Sequence, residues 1–384
     1  MAKKARLGLG LFFNNTTNSG IVNYVYNIVA ALHTLPFEEQ PVIILLHNDT
    51  AEISLIKEIK YPAIHFILLK NCPENFFFRK INNALKKING KNYYKQFFVY
   101  RQMQSFYPYF PFLNLPLQDA PNKIQWLVDF NNRAFPQHYE DGGTSMKIYQ
   151  EQLVQLNERV IVSSYAMLDE LKLYYPQYKN DVKVLKFACS FPPFQTINIP
   201  AIKQKHGING IYFMSPNQFW EHKNQVVVLD AIHLIKTQFQ ELEFKIIFTG
   251  SQSVNRGKGL YFNKLQEKIK KLGLEEHTQF LGILDRSEQI ILMKDAVSLI
   301  QPSLYEGWST LVEEAKALNK HIILSDLPVH REQINSNASF FDPHDPSELA
   351  RLIYKQIVHS EPIIPYDYTN EINSFAKNIL TALC

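Results

Sequence analysis

The chain of 384 residues is 46% hydrophobic and 20% charged, with a formal net charge of +4. This composition is typical of a folded globular protein with two or three domains, and it excludes a disordered or low-complexity chain. Three widely separated cysteines, Cys72, Cys189 and Cys384, give no disulfide framework or metal-binding cluster, and no apolar stretch approaches the ~18 residues of a membrane span. A reducing, cytoplasmic compartment is therefore expected.

Strand and helix signals alternate throughout the chain. The first apolar run follows basic residues, but it is short and lacks a small-residue cleavage site, so it is interpreted as a buried strand rather than a signal peptide. Runs that suit buried parallel strands occur at Leu7–Phe13, Val42–His47, His65–Leu69, Ile124–Val128, Val160–Ser163, Val182–Phe187, Ile211–Met214, Phe244–Thr249, Phe280–Leu281, Val297–Ile300, His321–Leu324 and Ser339–Phe341. Stretches of helical period lie between them, and this alternation predicts doubly wound α/β domains.

The segment Cys189–Pro200 contains three prolines and no clear period, so it is the candidate linker. We expect residues 1–190 and 201–365 to form two Rossmann-like domains, and residues 366–384 a helix that could pack back on the first. A ligand is expected in the cleft between the domains, at the carboxyl ends of the strands. Residues 1–195 carry a charge of +6 and residues 196–384 a charge of −2, so the first half is the one expected to meet an anionic surface.

The most informative run is PSLYEGWSTLVEEAKAL at residues 302–318, in which seven residues separate Glu306 from Glu314. An apolar strand precedes it and a helix-forming stretch, Leu311–Leu318, ends it. The intervening turn should present free backbone amides and the positive end of a helix to an anion. If most of the run is helical, both carboxylates can lie on one side of it. A nucleotide-diphosphate sugar, with hydroxyls at both ends and phosphates in the middle, suits this pattern; the alternative is a solvated helix face carrying Glu313 and Glu314.

The run resembles the E-x7-E signature of the retaining glycosyltransferases of family 4, close to PSxxEGFGLPxxEAMA, whose fold is GT-B. That fold has two Rossmann-like domains facing each other across a cleft. The resemblance implies that Glu306 and Lys223 are catalytic: Glu306 would bind the transferred sugar and steady positive charge at its anomeric carbon, and Lys223 would hold the donor diphosphate. Glu314 would bind the ribose hydroxyls.

The resemblance extends to a second donor motif, GRLxxxKN, in which Lys223-Asn224 matches and the arginine position is Gln218. Gln218 can offer only a neutral hydrogen bond, so another cation, such as His222, could assist. Further donor contacts are implied for Gly20, Gly250, Ile283, Gly307, Trp308, Ser309, Thr310 and Leu311. Gly20 follows the first strand, in a turn ahead of a helix where family members carry two glycines, and a steric need is its alternative explanation.

Residues 124–136 resemble a strand and loop, WIPDFQHxxLP, of some bacterial members of the family. Asp129 matches, and the histidine position is Asn132. These two residues are the candidates for the acceptor side of the cleft. The alternative for this loop is an Asx-type turn at the end of a strand.

Residues 76–112 combine 13 aromatic residues with seven basic and no acidic ones, out of 50 aromatics in the whole chain. Such a segment can bind the interface of an anionic membrane, or it can be core with a solvated helix face; a nucleic-acid partner is not expected. A peripheral position on the inner face of the plasma membrane would fit an acceptor that is linked to lipid.

By this resemblance the chain is a cytoplasmic transferase of polysaccharide or lipopolysaccharide biosynthesis. The donor would be a UDP- or GDP-linked sugar and the acceptor a glycan or lipid-linked glycan of the bacterial cell surface. No metal cofactor is expected, since a lysine and helix dipoles can replace Mg²⁺. Two alternatives stay open: a GT-B scaffold without catalysis, which Gln218 and Asn132 would support, and a nucleotide-sugar epimerase.

Overall fold

The structure of the chain is a computed structural model, and all the strand pairings in its described part are parallel. The structure describes residues 5–11, 19–47, 53–68, 80–81, 83–84, 87, 109–110, 124–139, 141–155, 159–179, 181–191, 198–252 and 260–383. The strands are β1 (Arg6–Leu11), β2 (Val42–His47), β3 (Ile64–Leu68), β4 (Tyr109–Phe110), β5 (Gln125–Leu127), β6 (Val160–Val162), β7 (Val182–Val184), β8 (Tyr212–Pro216), β9 (Lys245–Thr249), β10 (Thr278–Phe280), β11 (Leu299–Gln301), β12 (Ile322–Ser325) and β13 (Ala338–Phe341).

Helices connect most of these strands, as parallel pairing requires. They are α1 (Ser19–His33), α2 (Ser54–Glu58), α3 (Asn131–Ala134), α4 (Thr144–Gln155), α5 (Tyr165–Tyr174), α6 (Ile199–Lys205), α7 (Gln225–Gln238), α8 (Leu260–Leu272), α9 (Arg286–Asp295), α10 (Thr310–Ala317), α11 (Pro328–Gln333), α12 (Pro346–Val358) and α13 (Thr369–Leu383). In the described part of the chain, no helix has both the length and the apolarity needed to cross a membrane.

The N-terminal half contains two parallel sheets, with strand orders β3-β2-β1-β4 and β5-β6-β7. Side chains from both sheets, such as Leu9 and Ile161, share one core with the buried face of α1. The C-terminal helix α13 completes this core: Phe375 is buried in it, and its ring centroid lies 6.5 Å from that of Tyr24 on α1. The last helix of the chain therefore packs on the first half.

The C-terminal half is one six-stranded sheet of order β10-β9-β8-β11-β12-β13. Successive strands run outward from β8 in one direction and from β11 in the other. The two central strands are thus a topological switch point, where the loops at the carboxyl ends diverge and leave a crevice. Helices such as α7 and α12 pack against each other on one face of the sheet and bury its apolar side chains.

The α/β class predicted from the sequence is confirmed, since each of the twelve apolar runs overlaps a parallel strand. The strand β4 was not predicted. It lies in the aromatic segment 76–112, most of which is outside the described residues, and its two residues are too few for a periodic signal.

The two halves touch along one rim, where α11 meets α5. Glu332 of α11 accepts hydrogen bonds from the amides of Tyr165 (2.9 Å) and Ala166 (3.1 Å), which open α5. The same carboxylate pairs with Lys186 at 2.9 Å. A carboxylate at a helix N-terminus satisfies amides that have no partner within the helix and opposes the positive end of the dipole. One half of the molecule therefore caps a helix of the other.

Candidate functional site

The glutamate run lies at the switch point of the C-terminal sheet. Glu306 is in the loop that follows β11, and Lys223 is in the single turn of 3₁₀ helix, Glu221–Lys223, that follows β8. Asn224 ends that turn in the left-handed conformation (φ 55°) and donates to the carbonyl of Pro343 at 2.8 Å. Loops from adjacent central strands thus bring the two predicted catalytic residues together.

Glu306 and Lys223 form an ion pair, with 2.6 Å between Oε1 and Nζ. The same oxygen accepts hydrogen bonds from Gln301 (2.6 Å) and Ser303 (2.7 Å). Burial would raise the pKa of Glu306, but Lys223 and Ser303 outweigh burial and hold the pKa below its ordinary value. The carboxylate is therefore ionised and fixed in direction. Lys223 neutralises it, rather than standing alone as a cation for phosphate.

Glu306 is not part of a helix. The helix α10 begins only at Thr310, so most of the run is not helical and the condition for both carboxylates to lie on one side of a helix is not met. The reason is local: the Ser309 hydroxyl caps the helix by accepting from the amide of Val312 at 3.4 Å, and the residues before it form the loop. Glu306 therefore lies in the loop after β11, and Glu314 lies in the helix that follows the loop.

Glu314 lies on α10 and is 4% exposed, while its neighbour Glu313 is 1% exposed. A solvated helix face is therefore the wrong interpretation of this pair. Glu313 accepts from Tyr368 and from Gln333 and pairs with Lys316, whereas Glu314 Oε1 forms an ion pair with Arg286, the first residue of α9. Arg286 was not among the predicted residues, because it is 28 positions away in the sequence and belongs to no motif.

The N-terminus of α10 is partly occupied by protein groups. Gln333 accepts from the Ser309 amide at 2.9 Å and donates to the Ser309 carbonyl at 3.0 Å. The Ser309 amide is thus engaged, contrary to its predicted role in holding the diphosphate. The amides of Thr310 and Leu311, in the first turn, have no acceptor within the helix and are the groups that an anion could use.

Gly307 and Trp308 lie where the two halves meet. The Gly307 carbonyl accepts from Ser164 at 2.9 Å, and a Cβ at this position would lie 2.5 Å from the carbonyl oxygen of Val128. Trp308 donates from its indole to the carbonyl of Phe187 at 3.0 Å. The structure therefore gives both residues, which were predicted as donor contacts, a role in the contact between the halves.

Gln218 and Gly250 meet at the carboxyl ends of β8 and β9. Gln218 Oε1 accepts from the amide of Ser251 at 3.0 Å, so the side chain at the family's arginine position acts as an acceptor. Gly250 has φ 143°, and a Cβ there would lie 2.6 Å from the Asn217 carbonyl, so only glycine fits. Ile283 follows β10 and is 72% exposed. These loops flank the crevice from the side of β10.

Gly20 is in the first turn of α1, not in a turn ahead of it, because the helix begins at Ser19. It is exposed, and a Cβ there would meet nothing within 4 Å, so no steric need explains this glycine. Residues 12–18, which precede it, are outside the described residues.

Asp129 forms the Asx-type turn that was the alternative for its loop, because its Oδ1 accepts from the amide of Asn131 at 3.0 Å. Asn132 is 3% exposed, accepts from Gln150 at 2.8 Å and lies near the carbonyl of Gly143. The side chain is therefore used inside the N-terminal half, and its place on the acceptor side of the cleft stays a prediction.

The neighbouring Asn131 reaches the other half instead. Its Nδ2 lies 3.4 Å from Nδ1 of His222, and Oδ1 is buried without a hydrogen-bond partner in the described part of the chain. Close by, His138 Nε2 lies 3.0 Å from Glu221. No sequence signal could predict these contacts, since each joins residues that are more than eighty positions apart.

Comparison with known proteins identifies the C-terminal half. The family profile of glycosyl transferases group 1 matches residues 198–367, a range that contains Lys223, Arg286, Glu306 and Glu314. Residues 198–367 are therefore similar to the group 1 glycosyltransferases. The resemblance predicted from PSLYEGW is thereby confirmed for this family.

The curated relatives of the group 1 domain are distant. The O-antigen chain mannosyltransferase RfbU of Salmonella typhimurium is 26% identical over 216 residues, which are 55% of this chain and 55% of that protein. The chain thus spans about half the length of this relative.

Solved structures match the group 1 domain together with the N-terminal half. Anabaena HepE, in complex with UDP and glucose, has a TM-score of 0.65 at 15% identity, over 98% of this chain and 94% of that one. WaaG, a glycosyltransferase involved in lipopolysaccharide biosynthesis, has a TM-score of 0.61 at 12% identity, over 97% and 93%. At these identities the likeness concerns the fold alone, which is GT-B, as predicted.

Proposed function

We propose that the chain transfers a sugar from a nucleotide-diphosphate sugar to an acceptor, with retention of configuration at the anomeric carbon. The observation that carries the proposal is the ionised Glu306 paired with Lys223, beside the N-terminus of α10, at the switch point of a group 1 glycosyltransferase domain. A crevice at such a point is where nucleotides bind in α/β sheets.

The chemistry explains why these groups would be needed. The bond between the anomeric carbon and the diphosphate breaks and its electron pair leaves with the diphosphate, while an acceptor hydroxyl gives its proton to the departing diphosphate oxygen and forms the new bond. Positive charge develops on the sugar ring and negative charge on the leaving group. Glu306 would stabilise the first charge. Lys223 and the amides of Thr310 and Leu311 would stabilise the second, since fixed charges in a water-poor site need no reorganisation.

The donor and acceptor classes rest on the relatives' names. HepE is described in complex with UDP, with UDP and glucose and with UDP-glucose, and RfbU is an O-antigen mannosyltransferase. We therefore propose a UDP- or GDP-linked hexose as donor and a glycan or lipid-linked glycan of the cell surface as acceptor.

The test is turnover of UDP-glucose, UDP-galactose and GDP-mannose, followed as release of the nucleoside diphosphate and of labelled sugar. We expect slow hydrolysis of one donor without acceptor, and faster release when membranes or glycan extracts are added. Interconversion of the sugar on intact donor would instead indicate an epimerase. Nucleotide binding without turnover of any donor, with or without acceptor, would indicate a scaffold.

Transfer is expected to survive chelation of divalent metals. If the diphosphate lies on Lys223 and the first-turn amides of α10, no cation other than protein groups is needed. The measurement is the initial rate of donor turnover with excess EDTA, and then with Mg²⁺ or Mn²⁺ restored. A rate that EDTA abolishes and metal restores would contradict this placement of the diphosphate.

Binding to anionic membranes is expected from the segment at residues 76–112. Each basic residue near such a surface contributes about 1 kcal/mol, so four lysines together give reversible attachment. The protein should co-sediment with vesicles that contain anionic lipid, less so at high salt, and not with neutral vesicles. Replacing Lys86, Lys87, Lys91 and Lys95 with Gln should abolish co-sedimentation.

A variant with the same loss of charge elsewhere is the control for this experiment. The exposed lysines Lys264, Lys270, Lys271 and Lys377 lie on α8 and α13, and their replacement with Gln should leave co-sedimentation unchanged. If both variants lose binding equally, net charge and not this segment drives the attachment. If the wild-type protein ignores anionic vesicles at low salt, a soluble acceptor becomes the better hypothesis.

A further inference from the structure

Arg286 is held in one place by contacts from three elements. It is the first residue of α9, and its Nη2 bonds to Glu314 on α10. Its Nη1 donates to Gln289 one turn on, at 3.2 Å, and its guanidinium carbon lies 5.9 Å from the centre of the Phe191 ring. A planar guanidinium fixed in this way presents its donors to the carboxylate in a defined direction.

Glu314 needs such a partner because it is buried. An ionised carboxylate that is 4% exposed is strongly disfavoured unless a cation and hydrogen bonds compensate for lost hydration. Burial would also lower the pKa of Arg286, but the adjacent Glu314 outweighs burial and raises it. Within the described residues, Arg286 is the cation that forms an ion pair with Glu314.

The other ionisable groups around the pair do not supply a positive charge. Cys189, from the segment after β7, and Tyr26, from α1, both interact with Arg286. Burial raises the pKa of Cys189 well above its ordinary value and that of Tyr26 to about 12, so both are neutral at physiological pH. Glu313, the next carboxylate on α10, is matched by its own partner, Lys316.

The site therefore contains two carboxylates, and each is paired with a cation from a different element of the C-terminal half. Lys223 pairs with Glu306 at one end, and Arg286 pairs with Glu314 at the other. Gln218 is a neutral side chain and adds no charge, and its Oε1 is used to accept a hydrogen bond from a backbone amide. The second positive side chain of the site thus comes from α9, beyond the motif at residues 218–224.

We propose that Arg286 is a positioning residue for nucleotide recognition: it pairs with Glu314 and aims the carboxylate so that it can accept hydrogen bonds from the two ribose hydroxyls. This inference rests on the proposed function, in which Glu314 binds ribose. Two neighbouring hydroxyls can share an ionised carboxylate, whereas a protonated carboxyl offers one acceptor fewer and adds a donor. Selectivity for ribose over 2′-deoxyribose should then depend on Arg286.

The experiment measures the dissociation constants of UDP, GDP and their 2′-deoxy counterparts by calorimetry on the full chain. For the nucleotide that binds, the wild type should prefer the ribose form by about tenfold or more. In Arg286→Gln the affinity for the ribose form should fall about ten- to a hundredfold, and the preference should approach one.

Arg286→Lys restores a cation and should recover part of the selectivity. Arg351→Gln is the control, since it removes an arginine from an exposed ion pair with Glu348 in the same domain and should change nothing.

A double-mutant cycle with Glu314→Gln separates positioning from direct contact. If Arg286 acts through Glu314, the double variant should bind nucleotide no more weakly than Glu314→Gln alone, and this comparison is available even if Arg286→Gln does not fold by itself. A further loss of affinity in the double variant, or full ribose selectivity in folded Arg286→Gln, overturns the inference. A wild-type protein that binds neither UDP nor GDP would instead refute the proposed function.

Discussion

The Glu306→Gln variant is expected to transfer sugar about a hundred- to a thousandfold more slowly than the wild type, the loss typical of removing one preorganised electrostatic group. Glutamine has the same shape and its amide oxygen can still accept from Ser303, so the fold should persist. The charge that would oppose the developing positive charge at the anomeric carbon is lost. The measurement is the initial rate at saturating donor, together with the affinity for UDP or GDP, which should change little because Glu306 is not at the nucleotide end.

The control for this change is Glu361→Gln, which removes a carboxylate from an exposed ion pair with Lys355. Its transfer rate should equal that of the wild type. Glu306→Gln leaves the half-buried Lys223 without its counter-ion, which lowers stability. The double variant Lys223→Gln/Glu306→Gln should recover the melting temperature but not the rate. A single variant that retains more than about a third of the wild-type rate, a loss far below that expected for such a group, would contradict the catalytic assignment.

The Gly307→Val variant is expected to transfer sugar at least about a hundredfold more slowly than the wild type, because the substitution disturbs the arrangement of the two halves. Even the first carbon of a side chain would lie 2.5 Å from the Val128 carbonyl, which is far closer than atoms pack, and backbone cannot yield as a flexible side chain does. The contact from Ser164 to the Gly307 carbonyl would be displaced too. Residues contributed by the N-terminal half would then move away from Glu306 by a distance sufficient to lower catalysis.

Small-angle scattering and nucleotide binding give the readouts that distinguish this effect from unfolding. The radius of gyration should increase, while nucleotide affinity, which depends on the C-terminal half, should be retained. Ser164→Ala removes only the hydrogen bond and should cost far less, about 0.5–1.5 kcal/mol of stability. A Gly307→Val protein with an unchanged radius and a normal rate would show that the halves do not pack as closely as the structure has them.

The sequence predicted the strands well because each is a short continuous apolar run, buried on both faces of a parallel sheet. It also predicted Glu306, Lys223 and Glu314 as residues of one site, and the ion pair shows that the first two lie together. Adjacent central strands place the first two side by side, and this follows from the order of strands in a doubly wound sheet. These features depend on residues that are close in sequence or on rules of topology.

What the sequence could not predict depends on pairs that are far apart along the chain. Arg286 is the first residue of a helix and belongs to no sequence motif, so its ion pair with Glu314 is seen only in the folded structure. Gly307 looked like a contact for the donor, whereas the constraint on it comes from Val128 in the other half. Asn132 was predicted on the acceptor side of the cleft, but its side chain bonds to Gln150 inside the N-terminal half, whereas the adjacent Asn131 faces His222 of the other half. The two side chains differ because a shift of one position within a short helix turns a side chain by about 100°.

The capping of α5 by Glu332 has a mechanical consequence. Sliding the halves apart at this rim would break two amide–carboxylate bonds and the ion pair with Lys186 at once, and would leave two helix amides to be solvated. Rotation about the rim would keep these bonded groups together, but the contacts of Asn131 with His222 and of His138 with Glu221 would have to part. Any movement of one half against the other therefore breaks contacts between polar or charged groups, at α11 or beyond it.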